Sequence, residues 1–479
     1  MAKGLNYING EWVAGDQFTE NINPSDLSDV IGRYARATKE QTVGAITAAQ
    51  SAAADWGHAS AQLRAELLDK VGTEILKRRT ELGRLLSREE GKPLADAIGE
   101  VERAGWIFKF FSGEALRTPG EKLPAIRSNT EVDIVREPLG PIGIITPWNF
   151  PIAIPAWKVA PALAFGNTVV LKSADLVPAS ANELAKIIHQ VGFPQGVFNL
   201  VNGQGSVVGE TILADERIQA VSFTGSVGVG RHVAATMVGR MAKVQLEMGG
   251  KNPLVVLNDA DLDNAVDTAV QGAFYQTGQR CTASSRIIVQ EGILPRFVAA
   301  FKEKTKSLVV GHALEPQTQI GPVASEAQLL QNEKYIQVGI DEGATLLCGG
   351  ERLTKNTAGY FFSPAIFADC HNSMRICQEE IFGPIVSLIP VKTYEEALDI
   401  ANDTRFGLSA GICTTSLKHA AHFKQHSKAG MVMVNCPTAG VDFHAPFGGR
   451  QASSYGPREQ GRYAVEFYTT VKTTYTKYK

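Results

Sequence analysis

Glu247 and Cys281 each stand beside glycines where regular elements break: Glu247 in VQLEMGGKNP and Cys281 in GQRCTAS, with an apolar strand and an amphipathic helix between them. A strained turn at such a place presents a side chain to a cleft. A thiol that attacks a carbonyl must first become a thiolate, and a thioester formed on it needs a base to activate water. Cys281 and Glu247 fit those two roles. Arg280, next to the thiol, is a neighbouring cation that would favour the thiolate. Glu247 follows the apolar Leu246 and precedes a glycine pair, which places it at a strand end facing the crevice where α/β proteins bind ligands. Burial there would raise its pKa modestly, as a general base requires. Asn149, in TPWNFP, sits in a turn pinned by two prolines. Its amide, with the backbone N–H of Cys281, supplies donors for a developing oxyanion. Locally it reads equally well as a turn asparagine. An isolated cysteine is usually a small buried hydrophobe, and the other five cysteines keep that reading.

The elements that must position these groups follow from periodicity. From Lys39 to Leu116 the chain is Ala- and Leu-rich with helical spacing, so the N-terminal quarter is expected to be mainly helical. Between Gly140 and Gly250, strand-like runs (IGIIT, NTVVLK, GVFNLV, AVSFT) alternate with helical ones, among them a segment from Pro178 to near Gly192. That is the pattern of a doubly wound parallel sheet. A second α/β series opens with PLVVL and a helix from Asp259. TEVDIVRE at 130–137 alternates, and it is expected to pair with the Thr- and Tyr-rich tail FYTTVKTTYTKY as an arm.

Composition excludes several classes. Lys+Arg 47 against Asp+Glu 49 leaves a net charge of −2, with no broad basic field for nucleic acid or an anionic membrane. The 6 cysteines form no CxxC pair or short disulfide framework, which fits a reducing, cytoplasmic setting. The start, MAKGLNYINGEW, lacks the apolar stretch of a secretory signal. Five prolines and Lys158 interrupt the apolar stretch 141–165, making it poor material for a membrane helix. The 9 histidines show no HExxH, so no metal is expected. Asp259, Asp261 and Asp263 resemble the start of an EF-hand but lack its Gly and Glu, and read better as a helix N-terminus. Gly407 to Gly411 satisfies GxSxG without the strand–turn–helix context of a nucleophile elbow.

Gly225-Ser226-Val227-Gly228-Val229-Gly230 follows AVSFT and opens a helix, so its amides could receive a pyrophosphate, although it is not a GxGxxG. Gly203-Gln204-Gly205 with Gly209 competes for that role. EMGGKNP followed by GQRCT resembles the NAD(P)-dependent aldehyde dehydrogenase family, and TPWNFP, FTGS, EEIFGP and PFGG extend the resemblance along nearly the whole chain. The resemblance implies an α/β fold with two doubly wound domains and a small β oligomerisation arm. Residues 1–123 and 140–249 would form a dinucleotide-binding domain, 250–435 a catalytic domain, 124–139 and 456–479 the arm, and 436–455 a linking segment near the substrate pocket. It further implies Cys281 as nucleophile, Glu247 as deacylating base and Asn149 as oxyanion donor. NAD or NADP would be held by Thr146, Pro147, Trp148, Lys172, Ser173, Asp175, Gly205, Phe223, Gly225, Ser226, Gly230, Glu247, Met248, Gly249, Glu380 and Phe382. The family usually has KPxE where this chain reads KSAD at 172–175. A free carboxylate at Asp175 would bind a ribose 2′-hydroxyl and repel a 2′-phosphate, favouring NAD. The expected assembly is a homodimer or homotetramer.

For the aldehyde, Phe150, Trp157, Arg280 and Phe443 form the expected pocket. Succinate-semialdehyde enzymes commonly carry arginine where this chain has Trp157. GQRCTASSR with PREQG is similar to bacterial 2-oxoglutarate-semialdehyde (2,5-dioxopentanoate) dehydrogenases, so Arg280 either reads the keto acid end or only supports its loop. A broad aliphatic or aromatic aldehyde dehydrogenase, a succinate-semialdehyde enzyme, and a catalytically silent protein on the same scaffold are the alternatives. The tail reads PFGGRQASSYGPREQG against the family's PFGGxKxSGxGxExG, with Arg450 for lysine and Ser454 for glycine.

Overall fold

The structure is a computed structural model describing residues 2–479. Two large sheets dominate it. In the first, the strand order is Ser454–Tyr455, Lys243–Glu247, Ala220–Thr224, Pro141–Ile145, Thr168–Lys172, Phe198–Leu200, Asn6–Ile8 and Glu11–Val13. The five strands from Lys243–Glu247 to Phe198–Leu200 run parallel. Their residues are almost all buried, as expected of strands covered on both faces by helices. The chain winds outward from Pro141–Ile145 to Phe198–Leu200, then returns to place Ala220–Thr224 on the other side of its first strand. The order therefore reverses between Pro141–Ile145 and Ala220–Thr224, and the carboxyl ends there form the crevice where such sheets bind ligands.

The second sheet runs in the order Thr345–Cys348, Ala365–Ala368, Ile385–Val391, Ser284–Gln290, Asn252–Val256, Ser409–Cys413 and Met431–Val434, parallel except at its first strand. Thr469–Lys477 pairs antiparallel with Thr130–Pro138 along its full length, so the tail and the alternating segment meet as their patterns indicate. Glu121–Pro124 joins on the other side of Thr130–Pro138. All but Pro124 of these residues precede the segment 124–139 read as an arm, and their short, wholly exposed run carries no alternation to reveal them.

Four helices, Lys39–His58, Ala61–Lys77, Arg79–Glu90 and Leu94–Ala115, fill most of the N-terminal quarter. The first starts with a capping box between Thr38 and Gln41. Leu94–Ala115 packs on Ala61–Lys77 and on Ala153–Ala164, with Phe108 and Phe111 fully buried. Residues before Lys39, which lie outside the stretch read as helical, form strands. Asp26–Arg36 pairs with Gln17–Asn23 and Ala2–Gly4 in a separate three-stranded sheet, because β-branched and aromatic residues alternate there with polar ones. Among the described residues, no helix is long and apolar enough to cross a membrane.

Candidate active site

The thiol is delivered by a strained turn. Helix Leu262–Phe274 is capped by Asp261, whose carboxylate accepts the Asn264 N–H at 2.9 Å. After it, Gln276, Thr277 and Gly278 follow one another in the left-handed region, at φ 55°, 58° and 65°. Two non-glycine residues there cost of the order of 1–3 kcal/mol each, so the surroundings must enforce the shape. Thr277 Oγ1 donates to the Gly321 carbonyl at 3.1 Å, and Gln279 Oε1 accepts the Ala324 N–H at 3.0 Å. At Gly278 a Cβ would lie 2.4 Å from the Gly383 carbonyl oxygen, which excludes any other residue. The chain then emerges at Cys281, whose carbonyl accepts from Asn252 Nδ2 at 2.8 Å.

Asn149 is fixed against the same turn, its Nδ2 donating to the Gln279 carbonyl at 2.9 Å. Behind it lies a buried ion pair. Lys92 Nζ contacts Glu100 Oε2 at 2.6 Å, both side chains being 1% exposed, and also donates to the Asn149 carbonyl at 2.9 Å. Glu100 Oε1 accepts the Ile152 and Ala153 amides at 3.2 and 3.1 Å. Each charge is thus paired and its remaining capacity used, the condition under which a buried pair is tolerated. The sequence gives no sign of this support, since Lys92 and Glu100 read as helix-surface charges.

Glu247 ends the Lys243–Glu247 strand and is 3% exposed. Its Oε2 accepts from Ser454 Oγ at 2.5 Å, and Ser454 Oγ in turn accepts the Gly449 N–H at 2.6 Å. Ser454 occupies the strand position directly opposite Glu247. Gly448 passes so close that a Cβ there would sit 2.7 Å from Glu247 Oε1. Burial raises the Glu247 carboxyl well above the usual carboxylate range, and the nearby Glu459 carboxylate raises it further; Ser454, Lys158 and Arg458 oppose that rise. Glu459 is itself buried and paired with Lys158, which also donates to Ser222 Oγ at 2.8 Å.

The expectation of a thiolate favoured by Arg280 needs correcting. Burial pushes the Cys281 thiol up to about 12, and the Glu247, Glu380 and Glu459 carboxylates add to the rise. The Cys281 backbone amide opposes that rise. Arg280 is committed elsewhere, its Nη2 donating to the Gln271 and Gly272 carbonyls at 2.6 and 2.8 Å. The thiol therefore rests protonated, and a base must take its proton before it can attack.

Two cavities meet at this thiol. One, of about 350 Å³, is lined by Arg103, Phe150, Trp157, Arg280, Thr282 and Phe447 among others. The second, of about 220 Å³, is lined by Pro147, Trp148, Asn149, Thr224, Gly225, Ser226, Met248, Gly249, Glu380 and Phe382. Cys281 is the one residue that lines both. The second cavity lies at the carboxyl ends of Pro141–Ile145 and Ala220–Thr224, where the strand order reverses. A model of the aldehyde dehydrogenase family matches residues 12–474.

The chain belongs to the aldehyde dehydrogenase family. It is 44% identical over 478 residues to the α-ketoglutaric semialdehyde dehydrogenase of Bacillus subtilis, covering 99% of this chain and 98% of that one. It is 42% identical over 479 residues to the α-ketoglutarate semialdehyde dehydrogenase of Haloferax volcanii, covering 99% of each. Its fold matches the crystal structure of betaine aldehyde dehydrogenase from Staphylococcus aureus in complex with NAD+ with a TM-score of 0.96 at 34% identity, over 98% of this chain and 94% of that one. As an aldehyde dehydrogenase it oxidises an aldehyde with NAD or NADP.

The groups present fit a dinucleotide in this aldehyde dehydrogenase. At Gly249 a Cβ would fall 1.9 Å from Glu380 Oε2, and at Gly230 one would fall 2.4 Å from Met248 Sδ, so a side chain at either position would displace Glu380 or Met248 from the crevice wall. Ser226 caps helix Val227–Gly239, leaving its N-terminal amides facing the crevice. Phe382, with φ 62°, sits edge-on to Trp148 at 5.4 Å between ring centroids. Phe223 lies beneath the glycine turn, its ring 2.6 Å from where a Gly225 Cβ would be, and supports the cavity from outside. Thr146, Gly205, Lys172, Ser173 and Asp175 also stand outside this cavity. Gly205 opens a short helical turn, Gly205–Gly209. Asp175 is not free: its Oδ2 pairs with Arg36 Nη2 at 2.7 Å and its Oδ1 accepts from Thr19 Oγ1 at 2.5 Å.

On the substrate side the structure brings Phe150, Trp157 and Arg280 together but leaves Phe443 against Phe110, outside the cavity lining. It adds Arg103, which sequence reasoning missed. Arg103 comes from helix Leu94–Ala115, its guanidinium 5.6 Å from the Trp157 ring centroid and its Nη2 donating to Gln460 Oε1 at 2.9 Å. Its Nε is buried without a partner. A helical arginine carries no sequence signal of this kind; only the packing of Leu94–Ala115 on Ala153–Ala164 brings it over Trp157.

Proposed function

We propose that this protein oxidises 2-oxoglutarate semialdehyde (2,5-dioxopentanoate) to 2-oxoglutarate. The observation that carries the reading is the pair of guanidinium groups, Arg103 and Arg280, in the cavity that opens on the Cys281 thiol. Asp96 and Glu100 also line this cavity, but Glu100 is paired with Lys92 and neither guanidinium hydrogen-bonds to a carboxylate, so both keep donors for a substrate carboxylate. Similarity over the full chain to two enzymes named for this substrate supports it. Arg280 then does both things considered for it, bracing the turn through Nη2 while lining the cavity.

In this mechanism the Cys281 proton passes to Glu247 and the thiolate adds to the aldehyde carbon. Asn149 Nδ2 and the Cys281 N–H hold the oxyanion. The bound nicotinamide supplies the hydride acceptor. Loss of hydride from the thiohemiacetal would leave a thioester on Cys281, and Glu247 gives the thiol proton up to solvent. Once ionised, it removes a proton from water, which attacks the acyl carbon, and returns that proton to the departing Cys281 thiolate as the carboxylic acid leaves and ionises. The balance is aldehyde, oxidised cofactor and water giving carboxylate, reduced cofactor and two protons. The sheet bearing Ala220–Thr224 would form the dinucleotide-binding domain, the sheet bearing Ser284–Gln290 the catalytic domain, and the Thr469–Lys477 ribbon the surface that assembles a homodimer or homotetramer.

The test is kcat/KM for 2,5-dioxopentanoate, succinic semialdehyde, hexanal and benzaldehyde, each with NAD and NADP. A preference of tenfold or more for the keto acid, about 1.4 kcal/mol of transition-state binding, is expected. Equal or better rates with the uncharged aldehydes would overturn the substrate assignment.

A further inference from the structure

The cavity that holds Arg103 and Arg280 also holds acceptors that a keto acid leaves idle. Asp96 and Arg103 stand two turns apart on one face of helix Leu94–Ala115, roughly 10 Å along its axis, and both line the cavity. Gly99 lines it between them, and a Cβ there would meet nothing within 4 Å, so the wall from carboxylate to guanidinium is open. Glu100, the other acid of the lining, is occupied by Lys92 and by the Ile152 and Ala153 amides. Asp96 is half-buried and has no such partner among the described residues: burial raises its carboxyl, and only the charges of Lys92 and Arg280, without a hydrogen bond, oppose that rise. Gln276, held in the left-handed region at φ 55°, lines the same cavity with its Oε1 buried and unpartnered.

At the end remote from its aldehyde, 2,5-dioxopentanoate carries only acceptors, the keto oxygen and the carboxylate. It can satisfy the two guanidinium groups but neither Asp96 nor Gln276, and an ionised Asp96 repels it. An ammonium beside the carboxylate brings the missing donors together with a positive charge. We propose that this cavity also takes an ω-oxo α-amino acid, with the carbon chain of 2,5-dioxopentanoate and an ammonium in place of the keto group, and that Asp96 reads the ammonium. The carboxylate goes to Arg103 and Arg280, so the inference rests on the reading of those two residues given above. A simple amino aldehyde, lacking the carboxylate, would meet two guanidinium groups with nothing to offer them. The chemistry is unchanged: the aldehyde carbon gives hydride to the nicotinamide and takes oxygen from water, yielding the 2-aminodicarboxylate, reduced cofactor and two protons.

The experiment compares kcat/KM for 2-amino-5-oxopentanoate, 2,5-dioxopentanoate and 5-oxopentanoate, which share one chain length and differ only at the carbon beside the carboxylate. Rates for the amino acid are referred to its open-chain form, since its amine condenses reversibly with the aldehyde to a cyclic imine. The unmodified protein should use 2-amino-5-oxopentanoate about tenfold or more better than 5-oxopentanoate. Asp96→Asn should lower kcat/KM for the amino acid by about tenfold or more and raise it about twofold or more for the two anionic aldehydes, by removing a like charge from their cavity. Asp96→Glu, which keeps the charge, should retain part of the preference for the amino acid. No advantage of the amino acid over 5-oxopentanoate, or a parallel loss on all three aldehydes in Asp96→Asn, would overturn the proposal. Failure of the keto acid reading shows separately, as a lack of preference for 2,5-dioxopentanoate over hexanal, and leaves the comparison of the amino acid with 5-oxopentanoate to decide the role of Asp96.

Discussion

The two cavities that meet at Cys281 are made in different ways. The cofactor side is a surface of turns and close backbone, in which Gly225, Gly230 and Gly249 each leave no room for a Cβ. Long side chains make the substrate side: Arg103, Trp157, Arg280 and Phe447 converge from a helix, a second helix, the strained turn and the tail. Backbone shape is dictated by neighbours in sequence, whereas side-chain convergence is dictated by packing. In the first kind of site, a change at one of a few glycines displaces the side chain packed against it. The second retunes one residue at a time.

Substitutions can break or sharpen this contrast. The largest effect belongs to the shared residue: Cys281→Ala should lower turnover on the order of 10⁵-fold or more, while cofactor binding, followed by fluorescence titration, persists. Retained turnover would remove the thiol from the chemistry. Gly249→Ala tests the backbone-built side. The new methyl would collide with Glu380, whose Oε1 accepts the Gly250 N–H at 2.9 Å, and should cost about 100-fold in kcat/KM for the cofactor, as misplacement of about 1 Å commonly does. An unaltered cofactor KM and kcat would mean that the two segments separate freely. On the other side, Arg103→Gln should reduce kcat/KM for 2,5-dioxopentanoate by about 10- to 100-fold, the range of a charged hydrogen bond, and change hexanal by no more than about twofold. Equal losses on both aldehydes would assign Arg103 to packing alone.

The smallest effect concerns Ser454. Its O–H favours the ionised form of Glu247 and so holds that carboxyl lower than burial and Glu459 would leave it. Only ionised Glu247 acts as a base, so activity is lost as pH falls through its pKa. In Ser454→Ala that pKa rises, the acid limb of kcat moves to higher pH, and kcat at neutral pH falls a few-fold. Ser454→Thr, which keeps the hydroxyl, should restore the limb. A limb that stays in place would show that Ser454 only shapes the turn.

The same contrast governs what could be read before the structure. Glu247, Cys281, Asn149, Gly225 and Ser226 were legible because each sits in a short stretch whose backbone demands leave marks: paired glycines, flanking prolines, a strand followed by a helix cap. The parallel strands between Gly140 and Gly250 were legible because buried strands are apolar runs, and the arm because one of its strands alternates. Arg103, the Arg36–Asp175 pair and the contact of the Lys92–Glu100 pair with Asn149 left no marks, since each depends on elements far apart in the chain. The three-stranded sheet before Lys39 was masked by the strongly helical stretch that follows it.

One feature bears on how the protein is made. Ser454, which restrains Glu247, lies 207 residues downstream of it, and Glu459, which pairs with Lys158, lies 301 residues downstream of that lysine. Synthesis proceeds from the N-terminus, at roughly 5–20 residues per second, and domains fold as they emerge. The first sheet can therefore assemble most of its strands while its final edge strand is still inside the ribosome. Cys281 is therefore synthesised before Ser454 and Glu459, the residues that set the proton affinity of Glu247.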